Sequence, residues 1–156
     1  MNDRQTNQGF TLLELLFVIV IATIISTIVI VSLSRLNSSQ ALEKSSELVA
    51  STLNEARSLT LSSKRDTQYG VYFEPSQIVL FTGDTYLSSD PDNVVTIINT
   101  LTGIQNITLL GGGTSIVFNR LTGNTDEPGT LEVFLQSSPG TFRTITISST
   151  GVVGLE

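Results

Sequence analysis

The chain has 156 residues, a formal charge of −6, no histidine and no cysteine. Without imidazole or thiol there is no histidine general base, cysteine nucleophile, zinc thiolate or disulfide, and a catalytic hydroxyl would need a lysine or carboxylate as base. Lysines stand only at 44 and 64, so neither enzymatic activity nor a cofactor is expected.

The charge is unevenly spread. From Asp66 to Glu156 two basic residues, Arg120 and Arg143, stand against nine acidic ones, a net −7. Such a surface repels phosphate backbones, so nucleic acid is not an expected partner. The N-terminal part is different in kind. Leu15 to Val31 carries no charge, and its polar atoms are the hydroxyls of Thr23, Ser26 and Thr27, which can bond back to helix carbonyls one turn earlier. From Phe10 to Leu33 a helix would span about 36 Å at about 1.5 Å per residue, enough to cross a bilayer core of about 30 Å. Arg35 marks the water boundary.

Glu14 interrupts this apolar run almost at its start. A charge at the centre of a membrane helix costs about 2.5–3.5 kcal/mol, and less near an interface, so such a residue is a functional candidate once a partner is named.

Neither Pro nor Gly occurs between Phe10 and Leu61. Ala41, Leu48, Val49, Leu53, Ala56 and Leu59 recur at spacings near three and four, which predicts one long helix from the membrane to about Ser62, with at most a bend at Asn37 to Ser39. The period then falls to two. Strands are predicted at 68–74, 77–82, 94–98, 107–110, 115–119, 131–136, 142–148 and 152–155. Turn signals separate them, among them Asp90-Pro91-Asp92-Asn93, Gly111-Gly112-Gly113 and Ser138-Pro139-Gly140. Short connections favour antiparallel hairpins, so the expected fold is α+β: a long N-terminal helix, transmembrane then amphipathic, packed on an antiparallel β-rich C-terminal head.

Gly9-Phe10-Thr11-Leu12-Leu13-Glu14, followed at once by the apolar helix, resembles the N-terminus of type IV prepilins and type II secretion prepseudopilins. The usual basic residue before the glycine is replaced here by Gln8. The resemblance implies cleavage after Gly9 by a prepilin peptidase, N-methylation of Phe10, and assembly through Glu14, whose carboxylate would pair with the Phe10 amine of a neighbouring subunit. Its implied segments are a leader at 1–9, a transmembrane and filament-core helix at 10–34, an amphipathic helix at 35–66 and a β-rich head at 67–156. The implied partners are other pilin or pseudopilin subunits, the peptidase, an inner-membrane assembly platform and the membrane. The implied location is the cytoplasmic membrane, crossed once with the head outside, and then the assembled pilus or pseudopilus.

A second resemblance lies further along. Leu53-Asn54-Glu55-Ala56-Arg57, Ile116 to Asn119, Thr122-Gly123, Thr130 to Gln136, Arg143 to Ser148 and Gly151-Val152 are similar to the pattern of minor pseudopilins of the GspH and FimT type. The competing reading of the N-terminus is a secretory signal or plain anchor, with Ser32-Leu33-Ser34 as a cleavage site. Seventeen uncharged residues exceed the usual h-region of about 7–15, and an anchor has no use for Glu14. On that reading the remainder is an anchored or secreted β-rich binding domain that does not polymerise.

Other candidates are weaker. Asp90 to Asn93 with Asp84 offers oxygen ligands for calcium but lacks the spacing of an EF-hand, and a solvated turn is expected. No lysine or helix follows Gly111-Gly112-Gly113, so it reads as a hairpin connection rather than a phosphate loop. Asp126, Glu127 and Glu132 read as loop charges rather than an acid–base pair. Lys64-Arg65 suits a helix C-terminus, and Arg57 is expected to pair with Asp66 or another carboxylate.

Overall fold

The computed structural model describes residues 10–62 and 66–156, so the leader, Gly9 and the Lys64-Arg65 pair lie outside the described residues. The chain divides into two units, Met1–Asn37 and Ser38–Glu156. One helix, α1, runs Leu12–Leu61, with no break at Asn37 to Ser39. It begins two residues later than the apolar run because Thr11 takes the N-cap: its Oγ1 accepts the backbone N–H of Glu14 at 3.2 Å. Thr11-Leu12-Leu13-Glu14 has the spacing of a capping box, a signal present in the sequence and not read from it.

In the first unit the described apolar side chains of α1 between Leu12 and Leu36 are all exposed. Its hydroxyls are satisfied within the helix. Thr23 donates to the Val20 carbonyl at 2.8 Å, Ser26 to Ala22 at 2.7 Å and Thr27 to Thr23 at 2.9 Å. No polar atom of these three residues therefore asks for water.

In the second unit α1 buries Ala41, Leu42, Val49, Leu53 and Ala56, with Leu48 and Leu59 at the margin. Four hydroxyl residues share this face: Ser46, Thr52 and Thr60 donate to carbonyls four residues earlier, and Ser45 meets the Thr102 hydroxyl at 2.8 Å. Thr60 also accepts the N–H of Tyr69 at 3.0 Å, which ties the first strand to the helix.

Eight strands follow: β1 Tyr69–Phe73, β2 Gln77–Thr82, β3 Val94–Ile97, β4 Thr102–Leu109, β5 Ser115–Val117, β6 Gly129–Leu135, β7 Ser138–Ile147 and β8 Val153–Leu155. They form two antiparallel four-stranded sheets, ordered β3-β2-β1-β5 and β4-β6-β7-β8. Val71, Phe73, Ile78, Leu80 and Ile116 from the first sheet and Leu131, Val133, Ile145 and Ile147 from the second join the helix stripe in one core. The far face of the first sheet is closed by Tyr86, stacked on Tyr72 at 4.1 Å between ring centroids and set edge-on to Phe81 at 5.6 Å. Gly70 makes room there, because a Cβ would collide with the Phe81 ring.

Four expectations need correction. The strands do not form one run of hairpins, since the connections β3–β4, β4–β5 and β5–β6 each pass from one sheet to the other. Gly111-Gly112-Gly113 is thus a crossover between sheets, with Gly111 and Gly112 at φ 92° and 76°, where a Cβ would be strained. Strand β4 begins five residues earlier than its apolar pattern, because its ladder with β6 continues past a bulge at Asn106, φ 49°, between Gln105 and Thr108. The β6–β7 turn is Gln136-Ser137, and Pro139-Gly140 falls in a bulge of β7, between Ser138 paired with Leu135 and Phe142 paired with Phe134. Proline offers no N–H to a ladder, and a bulge needs none.

Arg57 corrects the fourth expectation. Asp66 is paired by Arg120 instead. Arg57 donates Nε to the Gly123 carbonyl at 3.1 Å and an η-nitrogen to the Thr150 carbonyl at 3.2 Å. Gly123 and Gly151 hold φ 64° and 74°, and a Cβ on Gly151 would strike the Gly123 carbonyl oxygen and stand 2.9 Å from Arg57 Nε. Arg57, Gly123, Thr150 and Gly151, scattered in sequence, therefore meet at one clamp on α1. Gly151→Ala is expected to destabilise the fold by about 2 kcal/mol or more, from left-handed strain plus overlap. Arg57→Lys should recover little of the loss seen in Arg57→Ala, since one ammonium cannot replace a two-pronged donor. Thermal unfolding of the full chain in detergent checks both, and unchanged midpoints would refute the clamp.

Candidate functional site

The N-terminal site is built from the first turn of α1. Thr11 fixes the start of the helix, and Glu14 follows in its first turn, where a carboxylate is favoured by the exposed N–H groups and the helix dipole. Phe10 precedes the cap and is 83% exposed. Beyond Glu14 the apolar surface is unbroken, and the helix is long and apolar enough to cross a membrane. Among the described residues Glu14 has no ion-pair partner. A carboxylate so placed, in a chain with an apolar shaft, can take up a cation from another molecule with little intramolecular competition.

The remaining acidic candidates do not converge. Asp90 Oδ1 accepts the N–H of Asp92 at 2.9 Å, and Asn93 Nδ2 donates to the Leu87 carbonyl at 2.7 Å, which closes the loop upon itself. Glu127 accepts from the Thr125 hydroxyl at 3.1 Å and the Val117 N–H at 3.3 Å, capping the edge of β5. Glu132 accepts from Gln105 and Asn106 at 3.1 and 2.7 Å, bracing the β4 bulge, while Asp126 accepts from Asn119 at 3.2 Å. The carboxylates of Asp90, Asp126, Glu127 and Glu132 each have their own structural partner, and among the described residues no cluster of three acidic groups is arranged to hold a metal ion. The glycine crossover lines a cavity of about 350 Å³ with Asp84, Asp126 and Glu127, whose charge is wrong for phosphate. Of the two head cations, Arg120 pairs with Asp66, and Arg143 pairs with Glu43 at 3.0 Å.

Residues 4–30 match the family model of the prokaryotic N-terminal methylation motif. No match is found among curated proteins. The chain is similar in structure to the type IV minor pilin FimU of Pseudomonas aeruginosa PAO1, with a TM-score of 0.57 and 16% sequence identity over 74% of this chain and 92% of that one. At that identity the likeness speaks to the fold: a long N-terminal helix on antiparallel sheets. The chain thus carries the methylation motif at its N-terminus and has a fold like that of a minor pilin.

Proposed function

We propose that the chain is a minor pilin or pseudopilin that works by assembly, as a subunit of a type IV pilus or a type II secretion filament. The observation that carries this reading is Glu14 in the first turn of an exposed apolar helix, one turn after Phe10, inside the methylation motif. A prepilin peptidase cleaves after Gly9, and the new amine of Phe10 is methylated. The segment 10–34 anchors the subunit once in the cytoplasmic membrane, with residues 35–66 and the head 67–156 outside, until an inner-membrane platform passes it into the filament.

The chemistry of assembly follows from charge. Removal of residues 1–9 leaves a cation at Phe10, and the Glu14 carboxylate of an incoming subunit neutralises the Phe10 amine of its neighbour. Away from water an unmatched member of such a pair costs about 3–5 kcal/mol, so pairing both favours assembly and sets its register. Before assembly Glu14 lies near the head groups, where it keeps its hydration.

Two measurements test this. Intact mass and N-terminal analysis of the mature protein should show a chain starting at methylated Phe10, whereas a start at Arg35 would show a secreted domain. Glu14→Ala and Glu14→Gln should reach wild-type membrane levels and be processed normally, yet be strongly depleted from sheared filaments. Entry of both variants at the wild-type level would refute the pairing account.

A further inference from the structure

Helix α1 is supported differently along its length. Over residues 49–56 one face is buried, with Val49, Leu53 and Ala56 in the core and the Thr52 hydroxyl closed on the Leu48 carbonyl. Over residues 12–33 the shaft is apolar, and in a bilayer an opened backbone bond there would find no water to replace it. One turn between these stretches has neither support. Asn37, Ser39 and Gln40 are exposed and Ser38 is half-buried, whereas burial against the head begins at Ala41 and Leu42, 4% and 6% exposed. The division of the chain into two units falls inside this turn, between Asn37 and Ser38.

The same turn is the least helical in its chemistry. Asn37-Ser38-Ser39 is the longest run in α1 of side chains that compete with the backbone for its own hydrogen bonds, and such residues rank below alanine, leucine and the long charged residues as helix formers. No pairing along the helix surface compensates. Across this turn the residues four apart are Leu33 with Asn37, Arg35 with Ser39 and Leu36 with Gln40, none of them an opposite-charge pair. The ion pairs of the described residues lie elsewhere, Arg120 with Asp66 and Arg143 with Glu43.

Opening this turn uncovers no hydrophobic side chain, because residues 37–40 contain none, and its freed N–H and C=O groups meet water. Opening residues 49–56 would strip Val49, Leu53 and Ala56 from the core. We propose that residues 37–40 form a joint: a turn that is helical in the structure and opens by itself while the ladder stays closed on both sides. The anchor then keeps its place in the bilayer while the second unit changes direction. The inference rests on the reading of residues 10–34 as a membrane anchor and goes beyond it, since a plain rigid helix would serve that reading equally well.

The test uses the full chain in lipid nanodiscs. Hydrogen exchange should be fast at the amides of residues 37–41, roughly tenfold or more slower at residues 49–56, and slow again at residues 19–25. Exchange at residues 37–41 should slow severalfold in the double variant Asn37→Ala, Ser39→Ala and quicken severalfold in Asn37→Gly, Ser39→Gly, at an unchanged unfolding midpoint of the head. The chain has no cysteine, so spin labels attached through Thr27→Cys and Glu47→Cys are unique. An unbroken helix sets these two positions about 30 Å apart along its axis. The distance distribution should be broad and extend to shorter values, narrow toward the straight-helix value with the alanine pair, and broaden with the glycine pair. Slow exchange throughout residues 19–56, or one and the same distance distribution in all three chains, would overturn the proposal alone. Fast exchange reaching through residues 19–25 would overturn it together with the membrane reading.

Discussion

Everything in this molecule depends on one helix satisfying its own backbone in two different surroundings. From Leu12 to about Leu33 no side chain of the described residues is covered by protein, so the N–H···O=C ladder must be complete without help. Isoleucine and valine dominate this stretch although they are indifferent helix formers, which would matter little in a membrane, where an unmade backbone bond has no water to replace it. From Ser38 onward the same ladder serves another purpose. It holds Val49, Leu53 and Ala56 in a fixed line against which both sheets close. The hydroxyl residues follow one rule in both stretches, Thr23, Ser26 and Thr27 in the first and Ser46, Thr52 and Thr60 in the second. Each bonds to a carbonyl three or four residues back. A hydroxyl closed on its own helix is tolerated equally by lipid and by a protein core.

What the sequence revealed and what it hid divide along the range of the interactions. The long helix, the buried positions Ala41, Val49, Leu53 and Ala56, and strand β2 at Gln77–Thr82 all follow from patterns within a few residues, and they were legible. The exchange of strands between two sheets was not. A hairpin and a crossover can have loops of similar composition, and nothing local distinguishes Gly111-Gly112-Gly113 as one or the other. Strand β4 was half hidden because Thr102 to Gln105 lack apolar alternation, and their pairing with Glu132 to Leu135 is fixed by the partner strand. Arg57 was misread for the same reason: its acceptors are backbone carbonyls 66 and 93 residues away, and a carbonyl has no sequence signature. The Gly9 to Glu14 motif is the opposite case, a short contiguous pattern that could be read directly. Even there the capping role of Thr11 was passed over, although the residue stood inside the motif.

Residues 66–156 carry a net −7, and the two cations among them are already engaged, Arg120 by Asp66 and Arg143 by Glu43. The surface that remains offers a neighbour carboxylates and amides with few basic groups to meet them. Two copies of this head brought side by side face like charge with like, and at physiological salt screening acts over about 8 Å, too long to relieve groups in direct contact. The proposed pairing of Glu14 with a Phe10 amine, in contrast, would be available between any two subunits that carry the motif. The N-terminal helix would therefore admit this chain to a filament of mixed subunits without discrimination, and the heads would disfavour runs of the same chain. In the filament proposed for it, the charge of the head would favour unlike neighbours, and the helix would supply the common core they share.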